Sequence, residues 1–310
     1  MNNVITGIDR SGSYRVYLAV TTEMVEEARK IHDTTPLATA GLGRVLTGAG
    51  LMGIDMKNPT DKLTVIFKGD GPAKQILATS HQDGRVKGYI AEPGCDLPLK
   101  ANGKLDVGGS LGIGELTVIK DLGLKEPYVG TIALVSGEIA EDLTAYYYIS
   151  EQQNTAISLG VKVDKDWSVK AAGGLFIQML PGAAEGAVDA LENMLGELKP
   201  ITQVIEEAVS GNPALSMEGL LQKMMDMIFG SMPEDYQVRA LSYKEIRWEC
   251  DCSYDRLEQV LASIGEYDLR EIAEQDGQAE LTCQFCRKKY HFGKDKLLEI
   301  LNRYTDGKEA

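Results

Sequence analysis

Cys250-Asp251-Cys252 and, thirty residues further on, Cys283-Gln284-Phe285-Cys286 hold four of the five cysteines in this chain of 310 residues. Two short thiolate pincers on one connecting loop can offer four sulfurs to a single tetrahedral Zn2+. The same pairs can each close into a disulfide, and a disulfide sulfur no longer ligates a metal. Four thiolates leave no open position for water, so a site of this kind is structural and not hydrolytic. Zinc also keeps each sulfur as thiolate, the form that oxidants attack. The Cys-Xaa-Cys arm departs from the paired Cys-Xaa-Xaa-Cys knuckles of common zinc ribbons. A disulfide across one residue closes a strained ring, and strained disulfides are the more readily reduced ones. A reversible switch can use such a pair.

The pincers lie in a small C-terminal unit, expected over residues 236–310. Ser253 is placed to cap a helix running to about Ile264, with Gly265 at its end. A second helix is expected from Tyr267 to Gln275, short strands over Ala279–Thr282 and Lys289–Phe292, and a last helix from Lys294. A unit this small rarely has a sufficient core and needs a staple. One zinc ion per chain supplies it, since structural zinc contributes about 10–16 kcal/mol of apparent binding energy in small peptides. Losing the metal should melt the unit.

Upstream, residues 1–182 read as an α+β core with antiparallel-rich sheets. Tyr14, Val16, Leu18 and Val20 alternate as a half-buried strand, and Thr22 opens a helix through Arg29. Thr35-Pro36 starts a Gly/Ala/Leu-rich helix to about Met56. Strands are expected at Leu63–Lys68, Glu115–Lys120, Val129–Val135, Ala156–Val163 and Val169–Met179, with a hairpin turning at Asp83-Gly84. A helix is expected from Glu138 to Tyr147. Residues 183–235 show only helical periodicity, broken at Pro200, Pro213 and Pro233. Ala187, Leu191, Met194, Leu195 and Leu198 make one apolar stripe there. Met217, Leu220, Leu221, Met224, Met225 and Ile228 make another, at helical spacing. Six of the eleven methionines fall between Met194 and Met232. Such faces pack on a core at rest, and Met-rich surfaces adapt to varied apolar partners when released.

Bulk composition narrows the function. A net charge of −14 and a pI near 4.8 disfavour general binding of phosphate backbones. The N-terminal segment has no basic stretch followed by an apolar core, and no stretch is expected to span a bilayer, so a cytoplasmic protein with reduced thiols is expected. Cys95, alone in a Pro/Gly loop, reads as an inert or partly buried thiol. His291 is a poor fifth ligand because four sulfurs fill the shell. His32 and His81 read as solvated, Glu138, Glu141 and Asp142 as an acidic helix start, and the glycines of 108–114 as turns. No nucleophile–base constellation emerges, so no enzyme is expected.

The residues resemble the Hsp33 redox-regulated chaperones. The tail Cys250-Asp251-Cys252-Ser253 with Cys283-Gln284-Phe285-Cys286 is similar to that family's zinc switch. Val118–Gly123, Lys125–Tyr128, Val135–Asp142, Ser150-Glu151-Gln152 and Ala172-Gly173-Gly174 through Gln178–Gly182 resemble its core-domain signature. The resemblance implies an ATP-independent holdase of the oxidative stress response, inactive while reduced and zinc-bound. It implies two disulfides, Cys250–Cys252 and Cys283–Cys286, with zinc release and unfolding of the C-terminal unit and adjoining linker. It further implies a homodimer on activation that captures unfolding proteins, the stripe from Met217 to Ile228 being a candidate client surface. The alternative is a zinc ribbon that binds nucleic acid or a partner through Arg287-Lys288-Lys289. A thiol oxidoreductase is disfavoured by the closed metal site.

Overall fold

In the computed structural model, which describes residues 2–211 and 214–306, the chain divides between Glu249 and Cys250 into two units. Pro213 lies outside the described residues. The larger unit begins with β1 (Val4–Asp9), β2 (Tyr14–Val20), α1 (Thr22–His32), α2 (Pro36–Ile54), β3 (Lys62–Gly69), β4 (Gln75–His81) and β5 (Arg85–Ile90). It continues with α3 (Val107–Leu111), β6 (Gly114–Asp121), β7 (Tyr128–Ala133), α4 (Ala140–Ser150), β8 (Thr155–Val163) and β9 (Val169–Met179). Three helices follow, α5 (Glu185–Glu197), α6 (Ile201–Gly211) and α7 (Met217–Phe229), and then strands β10 (Val238–Lys244) and β11 (Arg247–Trp248).

The strands form two sheets, ordered β10-β1-β2-β9-β8 and β11-β5-β4-β3-β6-β7. Every pair is antiparallel except β11 on β5. The α+β reading with antiparallel-rich sheets is therefore the fold observed. Helix α2 runs between the sheets. Thr35 accepts a hydrogen bond from the Ala38 amide at 3.2 Å, and Pro36 occupies the first turn, where a missing N–H costs nothing. Every residue from Leu37 to Ile54 except Arg44 is buried. This corrects one expectation: α2 does have the length and apolarity of a membrane span. Its all-round apolar character is instead that of a core helix, packed on β4 and β5 on one side and β8 and β9 on the other.

The segment expected to open the C-terminal unit belongs to the larger one. From Val238 to Lys244 it pairs with β1 and extends the five-stranded sheet, and Arg247-Trp248 edges the other. The corner between these strands is clasped by Asn3. Its side-chain amide donates to the Ile246 carbonyl and its oxygen accepts from the Ile246 amide, both at 2.8 Å. Gly84 makes room for this corner: it sits at φ +83°, and a Cβ there would collide with the Glu245 carbonyl.

Helices α5, α6 and α7 cover the outer face of the five-stranded sheet. Leu191, Ile201, Val204, Ile205 and Ala208 join Leu221, Met224, Met225 and Phe229 over Ile5, Val16, Leu18, Leu175 and Ile177 in one buried cluster. The amphipathic stripes are the faces that dock.

Several local expectations change. His32 and His81 are buried, 4% and 7% exposed, and not solvated. His32 Nε2 donates to the Gly88 carbonyl at 3.0 Å, and Trp248 lies edge-on to its ring. Their polar sequence neighbours gave no sign of this cover. Residues Val107–Leu111 form a short helix capped by Asp106, leaving only Gly112 of that run at positive φ. The helix expected from Glu138 starts at Ala140, after Ile139 at φ +56°. Glu138 pairs with Arg44 at 2.8 Å and with Lys100, while the buried Asp142 accepts from the Val135 and Ser136 amides. Cys95 is buried, which pushes its thiol up.

Candidate metal centre

The smaller unit starts at the first pincer. Ser253 follows Cys252 and accepts from the Arg256 amide at 3.2 Å, capping α8 (Tyr254–Ser263). Next come α9 (Glu266–Glu271), a π-helical turn over Ile272–Asp276 that Gly277 ends at φ +66°, and the hairpin β12 (Gln278–Thr282) and β13 (Lys289–Gly293). Helix α10 (Lys294–Asp306) closes the unit. Its core is small: Leu261, Leu269, Ala273, Tyr290, Phe292, Leu297, Ile300 and Leu301. Tyr254 stacks on Phe292 with ring centroids 4.5 Å apart, which seats the start of α8 against the hairpin.

The hairpin tip makes the second pincer. Arg287 takes a positive φ of 60° and donates its amide to the Cys283 carbonyl at 2.9 Å, while the Cys283 amide donates to Lys288 O at 2.9 Å. That tight turn aims the Cys283 and Cys286 sulfurs back toward Cys250 and Cys252. All four Sγ atoms lie within 4.8 Å of one another. The Cys250–Cys283 separation is 3.7 Å and the Cys252–Cys286 separation 3.3 Å. Both far exceed the roughly 2.05 Å of an S–S bond, so these are free sulfurs. Tetrahedral zinc with bonds of about 2.3 Å places its sulfurs roughly 3.8 Å apart. The separations of 3.3 and 3.7 Å and the 4.8 Å limit lie around that value, so the cluster fits that ion with small side-chain shifts.

The sulfurs do not share one environment. Burial pushes the Cys250 and Cys286 thiols up. Burial also acts against the Cys252 thiolate, but hydrogen bonding from Tyr290 and the neighbouring sulfurs holds Cys252 below the ordinary range. The Tyr290 hydroxyl lies 3.2 Å from Cys252 Sγ and 3.2 Å from the Cys252 carbonyl oxygen. Sequence reading missed Tyr290. The only signal was its place two residues before Phe292, on the inward face of a short strand.

His291 points away from the cluster, its side chain 73% exposed and paired with Glu280. Of the basic triplet, Lys289 is bound to Glu280 at 2.8 Å and Lys288 sits 5.1 Å over the Tyr290 ring. The candidate client residues lie in the larger unit: Leu220, Leu221, Met224, Met225 and Ile228 are buried and Met217 partly so.

Comparison with known proteins agrees with this architecture. A sequence model described as Hsp33 protein matches residues 2–293. A 33 kDa chaperonin of Alkaliphilus oremlandii is 45% identical over 307 residues, 97% of this chain and 98% of that one. A 33 kDa chaperonin of Clostridium botulinum is 42% identical over 308 residues, 99% of each. The crystal structure of the 33 kDa chaperonin from Thermotoga maritima superposes with a TM-score of 0.84 at 33% identity, over 99% of this chain and 100% of that one. The chain is a member of the Hsp33 family of chaperones.

Proposed function

We propose that the protein is a redox-regulated, ATP-independent holdase whose resting form holds one Zn2+ on Cys250, Cys252, Cys283 and Cys286. The observation that carries this reading is the convergence of four unoxidised sulfurs in a unit with so small a core. Bound zinc would gather the four thiolates and add folding energy that this core lacks. A peroxide or hypochlorous acid supplies the oxidising equivalents. With peroxide a thiolate attacks an oxygen and becomes a sulfenic acid, expelling hydroxide; with hypochlorous acid it takes up the chlorine, expelling hydroxide, and water then displaces chloride to give the same acid. A second thiolate then attacks that sulfur, forms the S–S bond and expels hydroxide. Each disulfide removes two electrons from two sulfurs and two ligands from the site.

The reading follows the family for the pairing, Cys250 with Cys252 and Cys283 with Cys286. Within the larger unit a route for the signal exists. Cys250 follows β11 after one residue, and β10 just before it carries Val238 and Tyr243 against the cluster that buries α7. Loosening that segment frees the face of Met217, Leu220, Leu221, Met224, Met225 and Ile228 for unfolding clients, an apolar surface of the kind a holdase needs. Domain use follows: a core to about residue 182, a releasable helical linker to about 235, and a switch region beyond. Homodimerisation on activation and residence in the cytoplasm complete the proposal. With two cations of the basic triplet engaged inside the unit, the nucleic-acid reading has less support.

The test is a single titration. Metal content, free thiols and suppression of aggregation of a heat-unfolded client enzyme are followed as peroxide is added. Zinc loss and capture should rise together and reverse with thiol reductant. Oxidised, metal-free protein that captures nothing would count against the proposal.

A further inference from the structure

Cys252 has a hydroxyl group, that of Tyr290, 3.2 Å from its sulfur, and the tyrosine is held in place by its surroundings. Tyr290 is 6% exposed, sits opposite Leu281 in the hairpin register and carries Lys288 over its ring. A tyrosine has one proton to give, and here two acceptors compete for it, the sulfur and the carbonyl oxygen of the same residue. When Cys252 is a thiol, its S–H can donate to the phenol oxygen while the phenol O–H donates to the carbonyl. When Cys252 is a thiolate, the anionic sulfur draws the phenol O–H to itself, because hydrogen bonds to charged acceptors are the stronger ones.

We propose that Tyr290 is a positioning residue of the switch: when Cys252 is a thiolate, as zinc would hold it, the Tyr290 hydroxyl occupies a lone pair of its Sγ and damps the attack of that one sulfur on an oxidant, so that the tail oxidises more slowly. The inference rests on the redox reading above but concerns a residue that reading does not use. In the damped step, a Cys252 lone pair attacks a peroxide oxygen and the O–O bond breaks. Sulfur keeps one oxygen as S–OH, and the hydroxide departs to solvent, where the buffer acid protonates it. A lone pair engaged with an O–H is less available for this attack, as hydrogen bonds to ligating sulfurs tune metal centres elsewhere. A tenfold gain in sulfur basicity passes into about a threefold gain in attack rate.

The test compares wild type, Tyr290→Phe and full-length protein carrying 3-fluorotyrosine at position 290, a stronger donor of nearly the same shape. Alkylation of each cysteine by iodoacetamide is timed by peptide mass spectrometry, and peroxide-driven zinc release is timed with a chelating dye. Damping predicts that Cys252 alkylates about threefold faster in the phenylalanine variant and more slowly than wild type in the fluorinated protein, with zinc release following. A role confined to holding the arm in place predicts no slowing on fluorination. An unchanged Cys252 rate in the phenylalanine variant, or shifts of the same sign in both, overturns the proposal. If the phenylalanine variant does not fold, the fluorinated protein decides alone. Wild-type protein that binds no zinc would sink the redox reading, and the Cys252 alkylation rate per thiolate, taken from its pH profile, would still judge Tyr290.

Discussion

Leu221→Ala tests the releasable face with the sulfurs left alone. Leu221 is fully buried in α7, in one cluster with Met224, Met225 and Phe229 over the outer sheet. Truncating such a leucine costs about 2–5 kcal/mol, from lost transfer energy and the cavity left behind. If about 3 kcal/mol of that falls on the docking of α7, the docked-to-released ratio drops on the order of a hundredfold. Amides of α7 should then exchange with deuterium faster by up to that factor, while those of α2, in the other cluster, keep their protection. In reducing buffer with zinc retained, the variant should bind a hydrophobic dye and suppress client aggregation where wild type does not. A folded variant with faster exchange in α7 and no gain in capture would refute the assignment of the client surface to this face.

Three further outcomes are expected. Chelating the metal under reducing conditions should erase amide protection across α8, α9 and α10 and leave the two large sheets protected, as hydrogen exchange read by peptide will show. After peroxide, proteolysis and mass mapping should find Cys250 joined to Cys252 and Cys283 to Cys286. A Cys250–Cys283 or Cys252–Cys286 product, the pairs with separations of 3.7 and 3.3 Å here, would contradict that pairing. Glu26 is held at about 2, below the usual glutamate value, chiefly by hydrogen bonding from Arg29, with the Val169 amide and Lys30 assisting against burial. A depressed carboxylate stabilises above its unfolded value and loses that contribution as pH falls through its folded one. Glu26→Gln should therefore cost about 1 kcal/mol in urea unfolding at pH 7, a difference that narrows from about pH 4.5 downward.

What the sequence disclosed depended on how local the determinant was. Thr35-Pro36, the alternation from Tyr14 to Val20, the turn at Asp83-Gly84 and the Ser253 cap all act within a few residues, and each stands where local chemistry puts it. The sulfurs were legible because zinc ligands come in short spaced pairs. The strand Val238–Lys244 was not, since its pairing with β1 joins residues more than two hundred positions apart, and nothing in Val-Arg-Ala-Leu-Ser-Tyr-Lys alternates cleanly. The buried His32 was missed for the same reason: its cover comes from β5 and β11, remote in sequence. Tyr290 went unnoticed because a hydroxyl aimed at a sulfur leaves no trace in spacing.

One side chain near the start of the chain has a mechanical bearing on all this. Asn3 grips both the amide and the carbonyl of Ile246, four residues before Cys250. Disorder spreading backward from the tail must tear two bonds at that residue together before it reaches β10. Brief or mild insults that merely fray the tail should stop at this stitch, whereas a fully melted tail pulls past it, so graded stress would be converted into a stepwise response.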